Sequence, residues 1–178
     1  ALKNAGDYEK AIAILEDILK ANGDNAPVYF ELSKINAQKN ETEKSLDYIN
    51  HAVELNPKNK WYVNYKISLT KQLGLYSDCE KTFLVRQKIF PNNTDYDIEF
   101  SDFYITFKKY FKALKLYDKV EKKIGVSHDI NFNKFLIYKG LEEYEKSENE
   151  IKKLIEVFPG NMSYYIDYAD FKLDYGQV

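Results

Sequence analysis

Few side chains in this sequence suit bond-making chemistry, and their spacing keeps them apart. There are two histidines, His51 and His128, and one cysteine, Cys79. A catalytic or metal centre needs an acid, a base and a nucleophile, or several ligands, converging on one point. The two histidines are far apart in the chain, and Cys79 has no second thiol with which to form a disulfide. No glycine-rich phosphate loop or nucleotide motif occurs. These readings give the expectation of no enzyme, no cofactor and no metal. Trp61, the one tryptophan, is open to two readings, an anchor for a bound partner or ordinary packing.

Charge narrows the partner class. There are 28 acidic and 26 basic residues, a net charge of −2, and Arg86 is the single arginine. A nucleic-acid binder needs a basic surplus to meet phosphates, so no nucleic acid is expected. The lysine runs Lys108-Lys109 and Lys122-Lys123 stand among acids and aromatics and read as solvated helix faces. No apolar stretch approaches the length of a membrane span. Hydrophobic residues make up 44% of the chain, enough for a packed core, and Gly and Pro are scarce at 7 and 4, which disfavours a strand-and-turn fold.

The elements that position these side chains repeat. Pro57 and Pro91 stand 34 residues apart, Pro159 stands twice that distance further on, and Gly23 and Gly125 fill the remaining places of the same comb. Ala11, Ser45, Cys79, Ala113 and Ser147 form a column of small residues at the same step. Tyr8, Thr42, Tyr76, Tyr110 and Tyr144 precede them, and Leu15, Ile49, Phe83, Tyr117 and Ile151 follow. Within each unit, apolar residues recur at three- and four-residue spacing, as in Val28, Tyr29, Leu32 and Ile35, which predicts amphipathic helices. The small column lets the second helix of a unit approach the first. Pro or Gly ends that second helix, and the Asn or Asp that follows in most units, as in Asp24-Asn25, Lys58-Asn59 and Asn92-Asn93, can cap the next. First helices are expected near 26–39, 60–73, 94–107, 128–140 and 162–175. Second helices are expected near 7–21, 43–56, 76–90, 110–123 and 144–158.

This pattern resembles the tetratricopeptide repeat, whose 34-residue unit reads W-x2-L-G-x2-Y, A-x3-F, then P. The matching residues are Tyr29-x2-Leu32-Ser33, Ser45-x3-Ile49 and Pro57, then Cys79-x3-Phe83 and Pro91, and Ala113-x3-Tyr117. Gly6-Asp7-Tyr8 and Gly74-Leu75-Tyr76 match the family's hairpin turn. The resemblance implies an all-α fold, an α–α superhelix or right-handed solenoid of stacked helix-turn-helix hairpins. It divides residues 1–178 into a single array: a partial unit over 1–25, repeats over 26–59, 60–93, 94–127 and 128–161, and a partial unit over 162–178. Residues 1–5 read as the tail of a first helix, and both ends fall within a unit, which gives the expectation of a piece from a longer array. Ile67 and Phe135 stand where the family has a small residue, and Lys66 and Lys134 where it has Leu. A one-residue shift of those two first helices is left open.

In this family the first helices line a concave binding surface, which implies groove positions here. They are Phe30 and Lys34, then Trp61 and Tyr65, then Asp95, Ile98, Glu99 and Asp102. Asp129, Phe132 and Asn133 follow, and Ile166, Asp167 and Asp170 complete the line. The later units place carboxylates around Ile98, Phe132 and Ile166, a pattern suited to a basic or amphipathic protein segment or peptide. Members of the Hsp70/Hsp90 carboxylate-clamp type hold a terminal carboxylate with Lys, Asn and Arg. The corresponding places here hold Phe30, Lys34 and Tyr65, then Asp95 and Glu99, so that type is not expected. The reading is a protein–protein interaction scaffold. The Lys-, Asn-, Ile- and Tyr-rich composition suggests an AT-rich bacterial genome and an envelope or secretion assembly, in the periplasm or cytoplasm. The alternative is a regulatory or targeting arm of an enzyme whose catalytic domain lies elsewhere.

Overall fold

The computed structural model describes residues 5–175, with the backbone alone for residues 5 and 6. The expected helix tail over residues 1–4 lies outside the described residues. The chain runs through α1 Ala5–Asn22, α2 Ala26–Gln38, α3 Thr42–Leu55, α4 Lys60–Gln72 and α5 Tyr76–Ile89. It continues through α6 Thr94–Thr106, α7 Tyr110–Ile124, α8 His128–Gly140, α9 Tyr144–Val157 and α10 Met162–Tyr175. All the described secondary structure is helical. No helix among the described residues is long and apolar enough to cross a membrane.

Local chemistry sets the helix starts. Asn25 Oδ1 accepts the Val28 N–H at 3.2 Å, Asn59 Oδ1 that of Trp61 at 3.0 Å, and Asn93 Oδ1 that of Tyr96 at 3.1 Å. Asn161 Oδ1 takes the Ser163 N–H at 3.2 Å. Asparagines at equivalent positions thus each satisfy an orphan donor of the first turn, two or three residues further on. At α8 the arrangement reverses, with the Ser127 N–H donating to Asn131 Oδ1 at 2.9 Å. Gly23 and Gly125 end α1 and α7 at φ +75° and +81°, the left-handed cap expected of them.

The turns inside the hairpins follow one design. Asn40, Gly74, Lys108 and Glu142, each 34 residues after the last, have φ of +60°, +67°, +53° and +60°. The next residue's N–H then reaches back five positions: Glu41 to Asn36 O, Leu75 to Thr70 O, Lys109 to Tyr104 O and Glu143 to Tyr138 O, at 2.8–2.9 Å. That is the Schellman closure of a helix C-terminus. Gly6, expected in such a turn, lies inside α1, which begins at Ala5. No helix C-terminus precedes it among the described residues.

The small column packs as its size requires. Ser45, Cys79, Ala113 and Ser147 have no exposed surface. Ser45 Oγ donates to Ser33 O at 2.9 Å, Ser147 Oγ to Phe135 O at 2.9 Å, and the Cys79 thiol to Ile67 O at 3.8 Å. Each bond spans the same twelve residues. The register of α4 and α8 is therefore that of α2, and the one-residue shift left open at Ile67 and Phe135 does not occur. Both side chains are buried at that register, 2% exposed.

Two compact units result, Ala1–Pro91 and Asn92–Val178. In the first, α2 packs on α3 and α4 on α5, with α1 against α2 and α3 against α4. In the second, α6 packs on α7 and α8 on α9, with α7 against α8 and α9 against α10. The far end of the second unit is sealed by Phe135, Ile151, Leu154, Tyr164 and Phe171. Each such side chain taken from water contributes about 1.5–3 kcal/mol, which drives helices this short to remain helical.

Candidate partner-binding surface

In the second unit, α6, α8 and α10 are first helices, and their equivalent positions form rows. Ile98, Phe132 and Ile166 make the apolar row; Ile166 is 61% exposed, and the other two are half-buried. Around that row Asp95, Asp102, Asp129 and Asp170 are exposed, and Glu99 and Asp167 are half-buried. Among the described residues, Asp95, Asp102, Asp129, Asp167 and Asp170 form no ion pair. Elsewhere in the unit lysines hold the carboxylates: Lys119 sits 2.7 Å from Asp97, and Lys152 and Lys172 sit 2.6 and 2.9 Å from Glu148. Those five aspartates thus keep their negative charge without an ion pair among the described residues.

Tyr117 ties part of this face together. Its ring has no exposed surface, and its hydroxyl donates to Asp102 Oδ1 at 2.9 Å. Burial, then the bonded Asp102 carboxylate, push the Tyr117 hydroxyl far above its usual pKa. The nearby Asn133 amide works the other way, and the Asp129 carboxylate raises it further. The Asn133 amide donates to the Asp129 carbonyl at 2.6 Å. Asp102, Asp129 and Asn133 are therefore brought together around one tyrosine, and each reaches its place from a rigid helix.

Phe132 is partly structural. Its ring stacks on His128 at 5.2 Å and lies 5.7 Å from Phe135 and 6.4 Å from Tyr164. His128 Nδ1 and Tyr164 Oη are 2.7 Å apart. Sequence reasoning missed this platform. The four-residue step from His128 to Phe132 was a signal for it, but the Tyr164 partner comes from another repeat.

In the first unit, Phe30, Lys34 and Tyr65 meet. The Tyr65 ring stands edge-on to Phe30 at 5.3 Å, and Tyr62 packs on the same ring at 4.9 Å. Lys34 Nζ lies 4.9 Å over Phe30 and 2.6 Å from Glu31. Trp61 is 68% exposed, and among the described residues its ring is met only by the Lys60 ammonium, 5.5 Å from the centroid. Of its two readings the exposed anchor has the surface it needs.

The groups suited to chemistry are dispersed or enclosed. No set of three His, Cys, Asp or Glu that could hold a metal occurs among the described residues. Cys79 is fully buried, and Arg86, 1% exposed, bonds Asn64 Oδ1 at 3.0 Å and stacks on Phe83. The one guanidinium is spent inside the fold.

Lys134 holds a second feature the sequence left unread. It is 3% exposed and lies 2.7 Å from Asp118, 2.6 Å from Glu121 and 3.1 Å from Glu150. Lys153 bridges Glu121 and Glu150 at 3.0 Å each, and the Asn131 amide bonds both at 2.8 and 2.7 Å. Burial works to raise the Glu121 carboxyl, but bonds from Lys134, Asn131 and Lys153 override it and hold the group at about 2.

The family model for the tetratricopeptide repeat matches residues 3–63. No curated protein matches the chain. Among solved structures, MamA from Desulfovibrio magneticus RS-1 aligns at TM-score 0.60 and 19% identity, over 85% of this chain and 86% of that one. A tetratricopeptide repeat protein from Parabacteroides merdae aligns at 0.61 and 21% identity, over 96% and 68%. YrrB, described as a TPR protein with an unusual peptide-binding site, aligns at 0.59 and 12% identity, over 89% and 82%. Residues 3–63 match the family in sequence, and the ten described helices pair as in these structures, so the chain has the tetratricopeptide-repeat fold.

Proposed function

We propose that this chain is a non-enzymatic protein-interaction scaffold whose second unit holds a basic, amphipathic segment of a partner protein along α6, α8 and α10. The observation that carries the reading is the face where Asp95, Asp102, Asp129, Asp167 and Asp170 stand around Ile98, Phe132 and Ile166 with no ion pair among the described residues. An apolar side chain seated on that row excludes water, and lysines beside it gain attraction from carboxylates that no internal cation has neutralised. Helix-borne positions make the face stiff, so binding loses little to ordering of the scaffold. The peptide-binding description of YrrB supports this class of partner by fold alone. The proposed setting is a bacterial envelope or secretion assembly, supported by composition.

Selection of a displayed random-peptide library on the purified chain tests the reading. The expected winners combine Lys or Arg with Leu, Ile or Phe at helical spacing, and lose binding to Asp129→Lys/Asp167→Lys. Winners that are acidic, or that bind the charge-reversed chain equally well, would overturn it.

A further inference from the structure

Lys66 and Lys134 occupy the same position two repeats apart, one on α4 and one on α8, yet their surroundings are opposite. Lys134 is enclosed by Asp118, Glu121 and Glu150. The residues 68 positions before those three are Asn50, Val53 and Thr82, none of them charged. Asn131 and Lys153, which complete the Lys134 network, are likewise replaced by Val63 and Val85. The first unit therefore has the lysine and lacks its anions.

What stands in their place is a cleft of about 270 Å³ between α3, α4 and α5. Leu46, Val53, Val63 and Val85 give it apolar walls, and Asn50, Lys66, Thr82 and the Asp78 and Lys81 side chains are its polar groups. The Lys66 ammonium makes no hydrogen bond and no ion pair among the described residues. Burial pulls its ammonium below the usual lysine range, countered from a distance by Asp78 and Glu54 and reinforced by Lys81. Asp78 is itself taken by Lys81, at 3.0 Å. Asn50 Oδ1 is buried and bonded to nothing. A rotation of that amide would present its NH2 donor to the cleft instead. A half-buried cation and an orphaned amide in one apolar recess are costly unless an acceptor arrives.

We propose that this cleft receives a glutamate or aspartate side chain of a partner protein, its carboxylate taking the place on Lys66 that Asp118 and Glu121 take on Lys134. The ammonium and the Asn50 amide would each donate to it, a charge-assisted pair. The apolar walls suit the methylene stem of an acidic side chain. Of the two lining lysines Lys81 is already paired with Asp78, so Lys66 alone is left to take an anion, and with no arginine in the lining it suits one carboxylate better than a phosphate. The site is separate from the α6, α8 and α10 face, stands without the reading above, and would select a partner region of opposite charge.

The test is amide-resolved NMR of the chain with the peptide acetyl-Ala-Leu-Glu-Leu-Ala-amide, its Gln counterpart, and inorganic phosphate. The Glu peptide is expected to move the signals of Asn50, Lys66 and Thr82, with affinity about tenfold above that of the Gln peptide. Asn50→Asp puts a carboxylate where Asp118 stands, so it should pair with Lys66, raise the melting temperature and abolish the response. Lys66→Met should also abolish it, and folding should survive because α2 carries Leu32 at that position. Absent shifts, equal binding of the Gln peptide, an undiminished response in Asn50→Asp, or a response to phosphate alone would each overturn the proposal.

Discussion

Tyr117 donates its hydroxyl to Asp102 Oδ1 at 2.9 Å, joining a fully buried ring on α7 to a carboxylate on the first-helix face. The bond ties the position of a binding residue to the packing of the hairpin beneath it. Tyr117→Phe should therefore cost about 1–2 kcal/mol, since a buried hydroxyl bonded to a charged acceptor is lost while the ring still fills its space. Urea unfolding checks this: the midpoint should fall with an unchanged slope. A midpoint equal to wild type would show the bond carries no net stability.

Lys108 and Glu142 hold left-handed backbone without being glycine. The left-handed region costs a side-chain-bearing residue about 1–2 kcal/mol, and glycine gives back roughly half through its looser unfolded chain. Lys108→Gly and Glu142→Gly should each raise stability by up to about 1 kcal/mol, and Gly74→Ala should lower it by a similar amount. Thermal melts of the three variants settle the sign. Opposite signs would mean that the Schellman turns do not persist in solution.

Cys79 should be inert to an aromatic disulfide reagent in the folded chain and react once urea unfolds it, because it has no exposed surface. Cys79→Ala should be nearly neutral. Cys79→Leu should cost about 1–3 kcal/mol by forcing α4 and α5 apart. Rapid labelling of the native chain would contradict the packing of the small column.

The two lysines at equivalent positions should respond oppositely to one substitution. Lys134→Met removes the buried cation that Asp118, Glu121 and Glu150 share, leaving the two glutamates to Lys153 and Asn131, and should cost about 3–5 kcal/mol, whereas Lys66→Met removes an unpaired, half-buried charge and should be neutral or stabilising. The network also makes stability pH-dependent. Glu121 is held at about 2, below its ordinary value of 4.5. Its contribution is therefore present above 4.5 and lost as pH falls through about 2. The urea midpoint should drop across that window, and less steeply in Glu121→Gln. An equal drop in the variant would remove Glu121 from the account.

Much of this was legible in the sequence because a 34-residue step imposes itself on every unit. The prolines, the small column and the asparagine caps located each helix to within about two residues of its observed ends. The turns at Lys108 and Glu142 carry no glycine, so only their place in the repeat marks them. The Lys134 cage draws on α7, α8 and α9, and the His128–Tyr164 contact on α8 and α10; no single-helix periodicity reveals either. Register alone brought Phe30, Lys34 and Tyr65 together, but it could not say that Phe132 would be half-occupied by packing on His128.

The central claim is that the α6, α8 and α10 face binds by its uncompensated carboxylates. Its most direct test is the affinity of a fluorescent amphipathic Leu/Lys helical peptide for the wild-type chain and for Asp129→Lys/Asp167→Lys, at low and high salt. Neither aspartate side chain has a structural partner, so circular dichroism should report both chains folded. The expected result is binding that weakens with salt in the wild type and falls by at least about tenfold on charge reversal. Equal affinity of the two folded chains would contradict the account.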